Sequence, residues 1–389
     1  MIAPNPFESF WMAGFECADH LNKKGVRQDM LGVTRHVELV ESDYKGVAEI
    51  GISTVREGIS WSQVELRPYH YSWEHVLPRV IAGRELGIQQ VWDICHFGFP
   101  DDLSPLHPGL TARFESLCLA FLDFYRSYDP LGTLIITPIN EVGFLSWLGG
   151  EAGETTPYCR NYGWEVKYSL MRAYIAGVNL LKKHDSNVLI LSTEPLVSIV
   201  PPKVATAEEF WEASRANEDQ FQVVRMLTGD MCPELGGDPS LLDIIGYNYY
   251  YNNQWLVDMA SFLPWTNEPY DSRWLALRTL LQSASTRFPY PFILSETSHP
   301  GIDRPKWLNS IADECAAVIE AQLPLLGVCL YPILDNPDWN NPSVWHHAGL
   351  WDKIGSNDRA LYTPYYDAFK HVRRHLSRQN VPQHQHLQF

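Results

Sequence analysis

Positive charge is scarce in this 389-residue chain: 30 Lys and Arg stand against 46 Asp and Glu, a formal net charge of −16. Nucleic acid rewards clustered Lys and Arg on a protein surface, so a nucleic-acid-binding role is excluded. No run of about 18 apolar residues occurs, which excludes a membrane-spanning helix of the usual kind. The opening residues, MIAPNPFESFWMAG, lack the basic start, apolar stretch and small-residue cleavage site of a secretory leader, and a cytoplasmic location is expected. The seven cysteines (Cys17, Cys95, Cys118, Cys159, Cys232, Cys315 and Cys329) show neither CxxC nor CxxH spacing. They read as reduced thiols inside packed elements, and neither a zinc site nor a disulfide framework has support. No metal and no cofactor is expected. Low-complexity linkers and short-period repeats are also missing.

What the chain has is apolar material, 45% of its residues, and an aromatic content of 13%. The apolar residues recur as short β-branched runs, each followed by a helical pattern. The runs are Phe10 to Phe15, Ile52 to Arg56, Gln89 to Cys95, Leu134 to Ile139, Val188 to Leu191, Asp243 to Tyr247, Phe292 to Leu294 and Gly327 to Leu330. Between them, residues 111–128 and 165–183 carry apolar side chains at helical spacing, and Asp303 with Pro305 marks a further helix start. Eight buried strands alternating with helices predict an α/β fold, a single (β/α)8 TIM barrel. A doubly wound sheet would show a Gly-rich phosphate loop after its first strand, and none is present. The barrel is expected over 1–375 and a disordered, Gln/His-rich tail over 376–389, where His384 and His386 read as solvated. The connections after the first, fourth and sixth strands exceed a minimal barrel and are expected to build its rim.

In such a barrel the chemistry lies at the C-terminal strand ends. These read Glu16, Arg56, His96, Asn140 with Glu141, Glu194, Tyr247 with Asn248, Glu296, and Tyr331 leading to Asp335. Glu141 after the fourth strand and Glu296 after the seventh face each other across the mouth. Opposed carboxylates suit glycosidic bond cleavage, one protonating the leaving oxygen and the other meeting a cationic sugar carbon. A guanidinium from Arg56 would keep Glu296 anionic, a Tyr hydroxyl from the sixth strand would hold it, and Asn140 is suited to a sugar 2-hydroxyl. Glu194 competes as an acid, although a hydrogen bond to a neighbouring loop or an outer sugar is the plainer reading. Glu16 and His20 are further candidates without a clear template. Aromatic side chains after the sixth and eighth strands, from Tyr247 and Tyr249 to Tyr251, Trp255 and Trp345, are expected on the rim as platforms for a sugar.

Seven ordered pieces also resemble family 1 glycoside hydrolases, from about residue 10 to about 362. TPINEVG (137–143) resembles the "TxNEP" acid/base segment, and ILSETSH (293–299) takes the place of the "ITENG" nucleophile segment. TVREGISWSQVE (54–65) is similar to "RFSISWSRI", WDICHFGFPDDL (92–103) to "LYHFDLPQAL" and DIIGYNYYYNNQW (243–255) to "DFIGINYYT". YPILDNPDWNN (331–341) and AGLWD (348–352) parallel "WSLLDNFEW" and "FGLYYVD". The resemblance implies a retaining β-glycosidase, hydrolysing a small β-glycoside of the β-glucoside kind through a covalent intermediate, with Glu141 as acid/base and Glu296 as nucleophile. It also implies that Arg56, His96, Asn140, Tyr250, Tyr331, Asp338 and Trp339 line the site of the cleaved sugar. Val142 replaces the motif's Pro, Thr297-Ser298 replaces Asn-Gly, GFECADH (14–20) stands where the family has Gln-x-Glu-Gly, and Tyr331-Pro332 replaces Trp-Ser. These departures fit a divergent member. A non-catalytic sugar-binding protein on the same fold, or a transglycosylase, stays open, as does a homo-oligomer.

Overall fold

Each of the eight apolar runs lies in or overlaps a strand in the computed structural model, which describes residues 5–259, 261–355 and 358–378. The strands are β1 (Trp11–Gly14), β2 (Thr54–Gly58), β3 (Gln89–Cys95), β4 (Leu134–Ile139), β5 (Val188–Pro195), β6 (Ile244–Asn248), β7 (Phe292–Thr297) and β8 (Leu325–Leu330). They are parallel and in chain order, and β1 pairs with both β2 and β8, so the sheet closes on itself as a (β/α)8 barrel. The outer layer includes α1 (His36–Glu49), α2 (Leu77–Leu86), α3 (Leu110–Arg126), α4 (Val142–Gly150), α5 (Gly163–His184), α6 (Ala207–Asp219), α7 (Leu277–Arg287), α8 (Arg304–Glu320) and α9 (Thr363–Arg378). The helix expected to start at Asp303 and Pro305 is α8, with Pro305 in its first turn. Among the described residues no helix is long and apolar enough to cross a membrane. The expected tail, 376–389, overlaps the end of α9 up to Arg378; residues 379–389, with His384 and His386, lie outside the described residues.

Strand alternation separates two apolar layers. Met12, Val91, Ile135, Leu191, Ile244, Ile293 and Cys329 fill the barrel, joined by Phe7 ahead of β1 and Tyr331 just past β8. The opposite faces, with Val55, Trp92, Ile136, Ile190, Ile245, Leu294 and Val328, pack against the helices. Burying each such large apolar side chain contributes about 1.5 to 3 kcal/mol. Five of the seven cysteines are buried, Cys159 and Cys232 are half-buried, and all seven are unpaired. Tyr247 and Tyr249, expected on the rim, are instead core residues: Tyr247 stands edge-on to Phe292 and Tyr249 stacks on Trp307.

The connection after β5 is long as well, which the sequence pattern did not signal. It holds a short strand, Ser198–Val200, that pairs in parallel with Gln254–Leu256 from the connection after β6, in a register of three residue pairs. It then forms α6, whose start is a capping box between Thr206 and Glu209.

A buried polar network lies outside the barrel, between β2 and its helices. Glu57 accepts from Arg79 at 2.8 Å and Tyr44 at 2.7 Å, and His36 bridges Glu57 and Asp43 at 2.7 and 2.8 Å. Burial opposes the Glu57 charge, but His36 and Arg79 outweigh it and hold the carboxyl at about 2. A depressed acid stabilises the fold fully above its unfolded value near 4.5, and that contribution is lost as pH falls toward 2. Glu57→Ala strands the buried Arg79, so denaturant unfolding should show a loss of about 3 to 5 kcal/mol at neutral pH. A change below about 1 kcal/mol would show that the network does not hold this face.

Candidate active site

Arg56 lies in β2 with its side chain inside the barrel, 2% exposed. Its guanidinium donates to Asp93 Oδ1 and Oδ2 at 3.0 and 2.7 Å, to Glu296 Oε1 at 2.7 Å, to Asn140 Oδ1 at 2.8 Å and to the Ser295 carbonyl at 3.2 Å. One planar cation thus gathers the ends of β3, β4 and β7. A guanidinium suits this place because its donors point outward in a fixed plane and its charge persists when buried. Tyr331 lies beneath, its ring centre 5.3 Å from the Arg56 Cζ. Gly14 makes room for it, since a Cβ there would fall 2.1 Å from the Tyr331 ring.

His96 extends the network. Its Nε2 lies 3.2 Å from Asn140 Nδ2 and its Nδ1 2.9 Å from Asp93 Oδ2; burial opposes its charge, but neighbours such as Asp93 and Glu16 hold the imidazole well above its ordinary value. Asp93 therefore has two partner residues, Arg56 and His96, and it is the residue that sequence reasoning missed. An Asp in the apolar run QQVWDIC, two positions after the inward Val91, is the signal that was there to be read.

Glu296 owes its aim to a β-bulge. The ladders of β7 with β6 and with β8 both slip after Leu294. Ile293 and Ser295 face inward by alternation; the slip turns Glu296 inward as well. Its second oxygen, Oε2, accepts the Tyr250 hydroxyl at 2.7 Å, the tyrosine contact expected beside β6. Ser295 Oγ donates to Asn248 Oδ1 at 2.6 Å, and Asn248 Nδ2 donates to Glu141 Oε1 at 2.7 Å. Asn248 is thereby the neutral link between the two carboxyl ends.

Glu141 follows β4 at the N-cap position of α4, with φ 47° in the left-handed region. Burial first, and then the Glu296 charge, push its carboxyl up to about 8, against the pull of the Asn248 hydrogen bond. Glu194, which ends β5, accepts the Gly143 N–H and does not point at Arg56, so it serves the neighbouring segment.

The other expected residues divide. Trp339 reaches the mouth, its ring 4.5 Å from His20 and 5.6 Å from Phe97. Asp338 spends Oδ1 on the Asn340 and Asn341 N–H groups of its own loop, at 2.9 and 2.8 Å. Glu16 and His20 gain weight. Glu16 is buried within electrostatic reach of His96, Glu296 and Arg56, with Oε1 accepting the Ala18 N–H. His20 is 2% exposed, its Nδ1 has no partner, and burial pushes it down to about 3, so the ring is neutral. Among the described residues two groups are near enough to share an ion, Cys17–Asp93–His96 and Asp335–His347–Asp352. Arg56 already neutralises Asp93 and Arg304 already neutralises Asp352, which disfavours a cation at either.

No protein-family model and no curated protein matches the chain. Solved structures do match. The β-glucosidase from Thermotoga maritima in complex with glucoimidazole superposes with a TM-score of 0.74 at 15% identity, over 95% of this chain and 98% of that one. The AHE enzyme from Alicyclobacillus herbarius gives 0.76 at 13% identity, over 96% and 98%. A β-glucosidase from Exiguobacterium marinum gives 0.75 at 13%, over 95% and 99%. With its closed barrel of eight parallel strands and a likeness that spans nearly the whole length of these structures, the chain has the fold of the family 1 β-glucosidases, at a sequence distance that fits a divergent member.

Proposed function

We propose that the chain is a retaining β-glycosidase that hydrolyses a small β-glucoside-like substrate by double displacement, with Glu141 as acid/base and Glu296 as nucleophile. The contrast between two buried carboxyls carries this reading. Glu141 is held up at about 8 in a buried, anion-facing site, whereas Glu296 is paired with the Arg56 guanidinium and the Tyr250 hydroxyl. Glu141 gives its proton to the glycosidic oxygen as the bond to the anomeric carbon breaks, and Glu296 attacks that carbon from the opposite face. The aglycone leaves as an alcohol and the sugar stays as an ester on Glu296. Glu141, now a carboxylate, then takes a proton from water, whose oxygen displaces Glu296 and releases the sugar.

Arg56, His96, Asn140, Tyr250, Tyr331, Asp338 and Trp339 line the sugar site in this reading. The Asn140 amide, with Nδ2 toward His96 and Oδ1 on Arg56, is rigidly held, which suits it to a sugar 2-hydroxyl. Both steps exchange only protons and one C–O bond among substrate, water and carboxyls, and call for no metal or organic cofactor. Seven unpaired cysteines support a reducing, cytoplasmic setting.

Glu296→Gly should abolish hydrolysis of 2,4-dinitrophenyl β-glucoside, and azide should restore turnover as the α-glycosyl azide; undiminished activity without azide would remove Glu296 from its role. A sugar-binding protein would instead bind glycosides without trapping a 2-fluoro glycoside, and a transglycosylase would show mainly acceptor products. Because Glu141 acts first in its protonated form, kcat/KM should fall as pH rises through about 8. Asn248→Ala deletes a hydrogen bond that favours the ionised acid, so this descending limb should move to higher pH; a shift downward would contradict the assignment.

A further inference from the structure

Glu141 has an uncommon backbone for its task. A non-glycine residue in the left-handed region costs roughly 1 to 2 kcal/mol, and its neighbours must hold it there. At the N-cap position its own side chain would ordinarily accept from the first free N–H groups of α4, yet it makes no such bond. A carboxyl folded back onto the helix would be lost to the mouth.

The residues that hold this segment come from the end of β5. The Thr193 carbonyl accepts the Glu141 N–H at 3.0 Å, and Thr193 Oγ1 donates to Asn140 Oδ1 at 2.8 Å. Glu194, 5% exposed, then accepts the Gly143 N–H with both oxygens, at 3.0 and 3.2 Å. Its carboxylate sits at the positive end of α4, where an anion is favoured. Gly143 is required for the contact, because a Cβ there would fall 2.5 Å from Glu194 Oε2.

The charges around the pair are set by four elements. Glu141 is faced by Glu296 from β7, by Glu194 from β5 and by His96 just past β3. Burial pushes the Glu194 carboxyl up to about 8, the same range as Glu141, and Lys167 from α5 counters this only in part; the Tyr174 phenol faces it as well. Lys167 Nζ is itself held by Gln222 Oε1 at 2.7 Å and lies near Asp219.

We propose that Glu194 is a positioning residue for proton donation: it caps α4 in place of Glu141, which fixes the aim of the acid, and wherever it is ionised its charge discourages loss of the Glu141 proton. The proposal rests on the reading of Glu141 as acid/base.

Two aryl β-glucosides separate this role from a merely structural one. A 4-methoxyphenyl leaving group needs protonation, whereas 2,4-dinitrophenolate leaves without it. Glu194→Ala removes both cap and charge and should lose at least about tenfold in kcat/KM on the methoxyphenyl substrate while keeping most of its rate on the other. Glu194→Gln keeps an oxygen for Gly143 and should fold normally; it removes a carboxyl that ionises in the same range as Glu141, so its descending pH limb should move to lower pH. Equal losses on both substrates in the Ala variant, or an unmoved limb in the Gln variant, would overturn the proposal. Glu141→Gln is the control: if it fails to discriminate between the two leaving groups, the acid/base reading itself falls, whatever Glu194 does.

Discussion

One buried guanidinium organises the mouth of this barrel. Arg56 meets two carboxylates, an amide and a carbonyl from three different strands. An isolated charge at that depth would cost several kcal/mol, so each partner is needed to keep the cation where it is. The reverse also holds: Asp93 and Glu296 remain buried because Arg56 is there. The lower barrel can be dry and apolar, and the upper barrel ionic, since the ionic layer closes on itself around this side chain.

From that arrangement the asymmetry of the two principal carboxyls follows. Glu296 lies in the ionic layer. Glu141 lies at the end of β4, touched by the neutral amide of Asn248 and with no cation bonded to its carboxyl. Asn248 ties the two together without levelling them, because it donates to Glu141 and accepts from Ser295. Two like groups in one cavity thus have different nearest partners.

Much of the barrel was legible in the sequence. The periodic β-branched runs marked all eight strands because burial on both faces of a parallel strand leaves a continuous apolar signature. Glu141, Glu296 and Arg56 stood out as charged residues at strand ends. The inward turn of Glu296 was not legible: simple alternation from Ile293 sends it outward, and only the slip after Leu294 reverses this. The tyrosines of 247 and 249 show the same limit. An aromatic residue near a strand end can face sugar or helix, and the choice depends on register. Asp93 could have been found, as a lone acid in an apolar strand. The paired strand after β5 could not, since its partner lies 56 residues away and neither piece is long enough to declare itself.

That small two-stranded ladder has a consequence for how the rim can change. By joining Ser198–Val200 to Gln254–Leu256, it makes one wall of two connections that would otherwise vary separately. An insertion in either connection must preserve three residue pairs or release both at once. Variation that reshapes the entrance is therefore channelled to other connections, such as the first and the last. The two tied connections should drift together in sequence, as a single hereditary unit.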